Sequence, residues 1–424
     1  GYGDEAATRL AGFRASRRYL ELPDASRLRV DAMVPELIGQ AAKCAHPDEA
    51  LGRALDLLES VSRRAAYLAL LAEHPQALSR VVDLVGSSPW AAGYLVQHPI
   101  VLDELLDPRA LADDTANDWN VFRNGLLRRL ADCRGDVERQ MDLLREAHHG
   151  QVFRLLARDI AGMLSVERLA DELSELADVM LQVTLEVCWL QVRERFPDYA
   201  AKKPRFAVIG YGKLGGKELG YASDLDIIFL YEDANDTAAE AYARLAQRIN
   251  HWLTVRTAAG VLFDTDLRLR PEGASGLMVS SMEAFRRYQR ESAWTWEHQA
   301  LTRARYCAGD AGVGAAFEEE RRSILCRARD PAKLRSEVLD MRAQLLEGHP
   351  NRSELFDLKH DRGGMIDVEF LVQYLVLANA AAHPSLTAND GNLALLGMAA
   401  DLGLIDAARA GAVQEAYQIG RAHV

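Results

Sequence analysis

The sequence predicts a mainly α-helical chain in which a small α/β core with a mixed sheet is flanked by helical bundles. Apolar residues recur at three- and four-residue steps over most of the chain, which is the periodicity of amphipathic helices. Two short runs rich in β-branched and aromatic residues, 206–209 and 225–231, interrupt this pattern and are typical of buried strands. We therefore divide the chain into a helical region at 1–165, an α/β domain at 166–330 and a truncated carboxyl-terminal helical bundle at 331–424.

The first half of the sequence predicts one helix after another. Residues 48–72 form a predicted helix with one apolar face, which carries Leu51, Leu55, Leu58 and Val61. Longer helices are predicted at 118–131, 134–164 and 166–195. No strand is predicted before Pro197.

The pattern changes after Pro197. The two predicted strands are followed by a helix at 237–258 and by residues 261–270, where alternation predicts a third strand. Helices return from Met282 to the end of the chain. The most apolar stretch, 370–382, is too short to span a bilayer and predicts a buried helix. No membrane-spanning segment or signal peptide is visible.

Composition places the chain among globular proteins but leaves its function open. Its 424 residues are 49% hydrophobic and 26% charged, and 50 basic against 62 acidic side chains give a net charge of −12. This balance lacks the positive field of non-specific nucleic-acid binding, so we expect neither a nucleic-acid nor a membrane partner. Five scattered cysteines favour a reducing, cytoplasmic location. Because the chain begins at Gly1 and a helical pattern runs towards its last residue, we expect a piece of a longer protein.

A glycine-rich turn follows the first predicted strand. Gly210, Gly212 and Gly215 match the G-x-G-x-x-G pattern of dinucleotide sites. A dinucleotide site also needs a full crossover helix and an acidic residue about twenty positions further on. Here only residues 216–223 separate the turn from the next strand, and the acidic residues stand at that strand's start. The spacing therefore disfavours dinucleotide-dependent oxidoreduction.

Two carboxylates open the second predicted strand. Asp224 and Asp226 are two residues apart, so their side chains lie on the same face of the strand. Mg²⁺ prefers oxygen ligands and commonly uses one or two carboxylates together with substrate phosphates. A turn of glycines lets backbone N–H groups approach those phosphates. This arrangement is typical of nucleotidyl transfer, and the alternative is a pair of acids at an exposed strand start.

The third predicted strand, 261–270, offers a further carboxylate. One face carries apolar residues, whereas the other carries Asp264, Asp266, Arg268 and Arg270. A third carboxylate completes a two-metal site for displacement at phosphorus, and arginines bind phosphate oxygens in bidentate fashion. Asp264 and Asp266 both fit the third position, and we choose Asp266. The alternative is an edge strand with cross-strand salt bridges.

Two later segments complete a set of motifs. Residues 294–305 read W-T-W-E-H-Q-A-L-T-R-A-R and residues 359–370 read K-H-D-R-G-G-M-I-D-V-E-F. Together with G-Y-G-K-L-G-G at 210–216, S-D-L-D at 223–226 and D-L-R-L-R-P-E-G at 266–273, they resemble, in order, the motifs of the bacterial bifunctional glutamine synthetase adenylyltransferase/adenylyl-removing enzyme family. The resemblance covers nearly the whole chain.

This resemblance implies a nucleotidyltransferase-fold core that transfers AMP from ATP to a tyrosine hydroxyl of glutamine synthetase, releasing pyrophosphate. The motifs are similar to those of the family's adenylylating half, and we expect the adenylyl-removing half to be absent from this chain. The resemblance also implies control of nitrogen assimilation, with glutamine synthetase as protein substrate and the PII signalling protein as regulator.

The resemblance also assigns roles to residues. It implies that Asp224, Asp226 and Asp266 are catalytic and ligate Mg²⁺, and that Gly215, Gly216 and Ser223 cradle the triphosphate. We further predict that four cations converge on the phosphates: Lys213, Arg268, Arg270 and Lys359. Asp266 is the candidate for accepting the hydroxyl proton. For Lys359, a solvated helix-start turn is an equally good interpretation.

Two other interpretations of the chain's function stay open at this point. A nucleotidyltransferase acting on RNA or on a small molecule would share the three acidic residues. A regulatory scaffold that binds nucleotide without catalysis would share the helical flank. An assay of nucleotide-dependent labelling of each acceptor separates these possibilities. The simplest prediction for Trp294 and Trp296 is that they belong to the core, and stacking of one of them on adenine is the alternative.

Overall fold

The computed structural model describes residues 3–106, 117–199, 202–235 and 237–423. The chain divides into two compact units. One comprises Gly1–Asp118, Asp136–Ser165 and Ala258–Gly260, and the other comprises Trp119–Gly135, Val166–Thr257 and Val261–Val424. The three-domain division at 1–165, 166–330 and 331–424 stays a prediction.

The protein is mainly helical, as predicted, with a small mixed sheet. The α-helices are α1 Asp4–Ala15, α2 Arg17–Leu20, α3 Asp24–Ala41, α4 Pro47–Val61, α5 Ala65–Glu73, α6 Pro75–Ser87, α7 Pro89–Gln97, α8 Trp119–Asp132, α9 Val137–Ile160, α10 Val166–Val192, α11 Gly212–Gly215, α12 Ala238–Thr254, α13 Met282–Glu291, α14 Thr295–Leu301, α15 Ala311–Leu325, α16 Pro331–Gly348, α17 Met365–Asn379, α18 Gly391–Asp401 and α19 Ala407–His423. The strands are β1 Phe206–Gly210, β2 Leu225–Tyr231, β3 Thr265–Asp266, β4 Val279–Ser281 and β5 Arg305–Gly309.

The first unit is built from helices whose apolar faces form its core. The predicted face of α4 is confirmed, because the following side chains are all buried: Leu51, Leu55, Leu58 and Val61. The helix predicted at 48–72 is wrong in its length. It ends at Val61, the Arg64 N–H donates to the Val61 carbonyl oxygen in a turn, and α5 begins at Ala65. Within the described residues that precede β1 there is no strand, in agreement with the sequence pattern.

The sheet of the second unit has the order β3-β2-β1-β5, with β4 also paired to β2. Strand β1 is antiparallel to β2 and β5, whereas β2 is parallel to β3 and β4, so the sheet is mixed. Strands β1 and β2 match their predicted positions, and β2 begins and ends at the predicted residues, whereas β5, which is as long as β1, lies where only helices were predicted. Every residue of β1 is buried, as its uninterrupted apolar sequence requires.

Side chains from β1 and β2 pack on both faces of the sheet. On one face, Ile209 and Ile228 join a core with Phe285 of α13 and Phe317 of α15. On the other, the stacked rings of Phe206 and Phe229 lie 5.6 Å apart, and the Phe206 ring centroid is 5.8 Å from that of Tyr242 in α12. Burial on both faces fixes the position of β2, which carries Asp226 at its start.

The strand predicted at 261–270 is wrong in its extent. Only Thr265–Asp266 forms β3, which pairs in parallel with Leu225 and Asp226. Beyond Asp266 the Arg270 N–H donates to the Leu267 carbonyl oxygen, and Gly273–Ser275 forms a 3₁₀ turn. The alternation in the sequence therefore reflects a short strand followed by a loop, and a loop can also alternate between buried and exposed side chains.

Helices α16 to α19 follow the sheet in the second unit. Val372 and Val376 of α17 form a separate core cluster with Leu395 and Leu396 of α18. Among the helices of the described residues, none combines the length and the apolar character needed to cross a bilayer.

Candidate active site

The site begins at the turn that follows β1. Gly212 adopts φ +55°, a left-handed conformation that favours glycine. A Cβ atom at this position would lie 2.1 Å from Asp226 Oδ2. The turn therefore passes directly against the second carboxylate of the Asp-x-Asp pair, and only a residue without a side chain fits there.

Gly215 and Gly216 pack against Arg303. A Cβ atom on Gly215 would lie 2.0 Å from the Arg303 carbonyl oxygen, and one on Gly216 would lie 2.8 Å from Arg303 Nε. The Gly215 N–H donates to the Tyr211 carbonyl oxygen at 2.8 Å, and the Gly216 N–H donates to the Gly212 carbonyl oxygen at 3.0 Å. These two N–H groups are thus used inside the turn, and a phosphate-binding role for the two glycines stays a prediction.

Ser223 closes the turn that leads into β2. Its hydroxyl oxygen accepts a hydrogen bond from the Gly220 N–H at 3.0 Å, and its own N–H donates to the Gly220 carbonyl oxygen at 3.2 Å. The hydroxyl proton takes part in neither of these two hydrogen bonds and can be donated to an acceptor. The turn places Asp224 just outside the strand, where its side chain is exposed.

The structure brings together three carboxylates. Asp226 stands opposite Asp266 in the parallel pairing of β2 with β3. Each of Asp224, Asp226 and Asp266 offers an oxygen atom, and these atoms lie within 4.8 Å of one another. Among the described residues Asp264 is not part of this group; its side chain is exposed, and its carbonyl oxygen accepts the Leu225 N–H. Of the two alternatives left by the sequence, Asp266 has the geometry of a third ligand.

The three carboxylates repel one another. Burial, followed by the charges of Asp224 and Asp266, raises the pKa of Asp226 to about 6. Asp266 is shifted in the opposite direction because Arg268 hydrogen-bonds to it and lowers its pKa. The Arg268 Nε lies 2.8 Å from Asp266 Oδ2, and the Arg268 N–H lies 2.8 Å from Asp266 Oδ1. A cation held among these oxygens would relieve the repulsion at Asp226.

The four predicted phosphate-binding cations differ in their surroundings. Arg268 is 80% exposed at its side chain and pairs with Asp266. Arg270 instead braces the following loop, because its guanidinium donates to the carbonyl oxygens of Leu267, Ala274 and Gly276. This bonding gives Arg270 a structural role in the free protein.

The two lysines, Lys213 and Lys359, lie close enough to influence each other's charge. Burial lowers the pKa of Lys213, and the nearby charge of Lys359 lowers it further. Asp224 is close enough to Lys213 to act in the opposite direction. Lys359 is exposed. Lys213 is therefore available near Asp224, and Lys359, from a distant part of the sequence, adds positive charge near Lys213.

Comparison with known proteins decides the family. Residues 78–320 match the sequence model of the family described as glutamate-ammonia ligase adenylyltransferase. The chain belongs to this family.

Members of the glutamate-ammonia ligase adenylyltransferase family with curated names resemble the chain closely. A bifunctional glutamine synthetase adenylyltransferase/adenylyl-removing enzyme from Aromatoleum aromaticum is 57% identical over 95% of this chain and 42% of its own length. Proteins of the same name from Chromobacterium violaceum and Burkholderia mallei are 54% and 53% identical over 99% of this chain and 46% of their own lengths. The chain thus spans about half the length of the curated relatives it matches.

A network of buried polar side chains packs against the glycine turn. The sequence did not predict it. The Arg303 guanidinium lies 2.6 Å from Glu218 Oε2 and 2.9 Å from Glu369 Oε1. The Tyr417 hydroxyl donates to Glu218 Oε2 at 3.0 Å, and Asn392 Nδ2 donates to the same oxygen at 3.0 Å. The network joins the turn to α17, α18 and α19. Arg303 and Glu369 stand in motifs noted from the sequence, but no local pattern marked Glu218 as their partner.

Two other motif residues have surroundings that restrict their roles. His298 is buried, its Nε2 lies 3.0 Å from the Gln289 carbonyl oxygen, and burial lowers its pKa to about 4. Its imidazole is therefore neutral at physiological pH. The prediction that Trp294 and Trp296 belong to the core is wrong, because they are 70% and 37% exposed. Their motif places them at the start of α14, where the helix leaves them on the surface.

Proposed function

We propose that this chain transfers AMP from ATP to a tyrosine hydroxyl of glutamine synthetase and releases pyrophosphate. The observation that carries the proposal is the group of three carboxylates next to a glycine turn, in a chain of the glutamate-ammonia ligase adenylyltransferase family. The names of the relatives include both adenylyl transfer and adenylyl removal. We assign the first reaction to this chain, and we propose a nucleotidyltransferase fold for the region around its sheet.

Mg²⁺ fits the residues of this site. The donors offered by Asp224, Asp226 and Asp266 are all oxygens, as Mg²⁺ prefers. The raised pKa of Asp226, to about 6, reflects burial and the charges of Asp224 and Asp266, which Arg303 and Arg268 offset only in part. When bound, two such ions would supply the positive charge that stabilises the entering and leaving oxygens of an in-line displacement. We propose Asp224, Asp226 and Asp266 as the residues that hold them.

The remaining residues would bind and orient the nucleotide. Lys213 supplies positive charge near Asp224, Lys359 lies near Lys213, and the exposed guanidinium of Arg268, which is paired with Asp266, would turn towards a phosphate. The Ser223 hydroxyl and the turn at Gly215 and Gly216 complete the proposed triphosphate site. The guanidinium N–H groups of Arg270 already donate to backbone carbonyl oxygens. We therefore propose that the loop held by Arg270, and not the guanidinium itself, borders the nucleotide.

The reaction requires no covalent enzyme intermediate. The tyrosine oxygen bonds to the α-phosphorus, the bond from this phosphorus to the bridging oxygen breaks, and pyrophosphate leaves. The hydroxyl proton passes to solvent. Arg268 lowers the pKa of Asp266, which makes that carboxylate a weak base, so we restrict our proposal for Asp266 to metal binding. Regulation by the PII signalling protein and a cytoplasmic location stay predictions from the resemblance and the cysteine pattern.

A pair of matched variants tests the third ligand. We expect Asp266→Asn to lower the rate of AMP transfer to glutamine synthetase about 100-fold, because it removes one of three carboxylates that hold the cations. Asp264→Asn removes the same charge two residues away, from an exposed side chain outside the group. The rate of AMP transfer by this variant is expected to stay within about threefold of the rate of the unaltered chain. Transfer of radioactive AMP from α-labelled ATP measures both. Equal losses in the two variants would contradict the assignment of Asp266.

A further inference from the structure

A cavity lies between α16 and α17. It has a volume of about 540 Å³, and its lining includes no residue of the candidate active site. Its apolar walls come from Val338 and Leu346 of α16 and from Phe370, Leu371 and Tyr374 of α17. Sites for small organic ligands typically have volumes of about 300–1,000 Å³ and mainly apolar walls with a few polar groups. The cavity has the size and lining of such a site.

The polar groups of this cavity are mostly cationic. Three arginines line it, Arg335, Arg342 and Arg362, against one acidic residue, Asp367. Asp367 is bound by Arg342, whose Nε donates to it. Within the described part of the chain, no carboxylate lies within the 4.0 Å salt-bridge distance of Arg335 or Arg362. Arg335 and Arg362 are solvent-exposed, and among the described residues neither is paired with a carboxylate, so both guanidinium groups can bind an anion at the wall of this cavity.

Arg342 adds a donor that lacks an acceptor. Its Nη2 donates to the carbonyl oxygens of His360 at 2.8 Å and Asp361 at 3.3 Å. Its Nη1 is buried and has no hydrogen-bond partner among the residues that the structure describes, while the side chain as a whole is only 11% exposed. A buried donor without a partner typically costs about 1–3 kcal/mol, so such a group commonly marks the place of a water molecule or ligand.

We propose that this cavity binds a small organic carboxylate with an aromatic or aliphatic body. A carboxylate is planar and accepts two parallel N–H donors, which matches the guanidinium fork. It would neutralise Arg335 or Arg362 and offer an oxygen to Arg342. The body of the ligand would lie against Phe370 and Leu371. A cation or a neutral polar ligand would leave the arginines uncompensated. The inference is independent of the proposed transfer reaction, because it rests on the cavity alone.

Binding of 4-phenylbutyrate to the whole chain tests the proposal, with saturation-transfer NMR titrations as the measurement. For a ligand of this size we expect saturable binding with a dissociation constant on the order of 1 mM. The double variant Arg335→Gln/Arg362→Gln is expected to weaken it about tenfold or more, because hydrogen bonds to charged groups are lost. Ala343→Phe keeps the charges but fills the cavity, and is expected to weaken binding by a similar factor.

Two controls isolate the predicted interactions. Arg352→Gln changes an exposed arginine outside the cavity and should leave the affinity within about twofold. The neutral amide 4-phenylbutyramide should bind about tenfold more weakly than the carboxylate. The proposal is overturned if 4-phenylbutyrate shows no saturable binding at concentrations of about 20 mM. It is also overturned if the amide binds as well, or if the double variant and Ala343→Phe both bind like the unaltered chain.

Discussion

Asp226→Asn is expected to lower the rate of AMP transfer about 1,000-fold. Asp226 is the central member of the carboxylate group: it is paired with Asp266 in the sheet and lies against Gly212 in the turn. Loss of its charge would remove several kcal/mol of stabilisation of the charge that develops at phosphorus, and about 4 kcal/mol corresponds to a 1,000-fold change in rate. Steady-state transfer with saturating ATP and Mg²⁺ measures the effect. A loss of less than tenfold would show that Asp226 is not a metal ligand in the reaction.

The same variant is expected to be more stable than the unaltered chain when metal is absent. Burial and the neighbouring acids raise the pKa of Asp226 to about 6, from a usual value of about 3.9. Between these two values the folded chain binds more protons at this site than the unfolded chain, so stability falls as pH rises, and the penalty is complete above about pH 6. Asparagine carries no charge and avoids this penalty.

Chemical denaturation in EDTA measures this second effect of Asp226→Asn. We expect the free energy of unfolding at pH 7.5 to rise by about 1–2 kcal/mol, and the gain to disappear near pH 4. Added Mg²⁺ should stabilise the unaltered chain and leave the variant nearly unchanged, because ligand binding to the folded state raises stability by mass action. A variant that is less stable than the unaltered chain at pH 7.5 would contradict the repulsion described for this site.

Gly215→Ala is expected to be the most destabilising single-methyl change in the site. The added Cβ would lie 2.0 Å from the Arg303 carbonyl oxygen and 2.6 Å from the Gly210 carbonyl oxygen, both of which belong to the backbone. Neither can move without shifting β1 or the segment that carries the buried Arg303. Insertion of a methyl group into a packed site of this kind typically lowers the free energy of unfolding by about 1–3 kcal/mol. For Gly215→Ala we expect a loss of about 3 kcal/mol.

Gly220→Ala is the matched control for that prediction. It lies five residues further on in an exposed turn, and its added Cβ would have Ser223 Oγ as its nearest neighbour, at 3.5 Å. That distance is an ordinary van der Waals contact, so we expect the free energy of unfolding to change by at most about 1 kcal/mol. Urea denaturation followed by circular dichroism compares the two variants. Similar stabilities for both would mean that the turn does not pack against Arg303 as described.

The fold could be predicted well where one local pattern determines it. Strand β2 is an apolar run interrupted only by Asp226, and its predicted bounds agree with the structure. The pairing of residues 261–270 could not be predicted, because alternation shows which side chains are half-buried but not which backbone groups have partners. Only Thr265 and Asp266 pair with β2 as strand β3, and beyond them the Arg270 guanidinium donates to the carbonyl oxygens of Leu267, Ala274 and Gly276.

The carboxylates of the site were predictable, whereas their support was not. Asp224 and Asp226 are two residues apart on one strand, so the sequence alone places them on one face. Glu218, Arg303 and Glu369 are separated by long stretches of chain, and their ion pairs arise only from the tertiary fold. The exposure of Trp294 has the same origin, since a large aromatic residue in a motif does not reveal which face of α14 meets the core.

The most direct test of a metal-dependent adenylyltransferase site measures transfer from α-labelled ATP to glutamine synthetase by the unaltered chain and by Asp224→Asn/Asp226→Asn. We expect the unaltered chain to label a tyrosine of glutamine synthetase only when Mg²⁺ is present, with one pyrophosphate released for each AMP transferred. The double variant should give no labelling above background while keeping the circular dichroism spectrum of the unaltered chain. Labelling by the double variant at the rate of the unaltered chain would contradict the assignment of these carboxylates to catalysis.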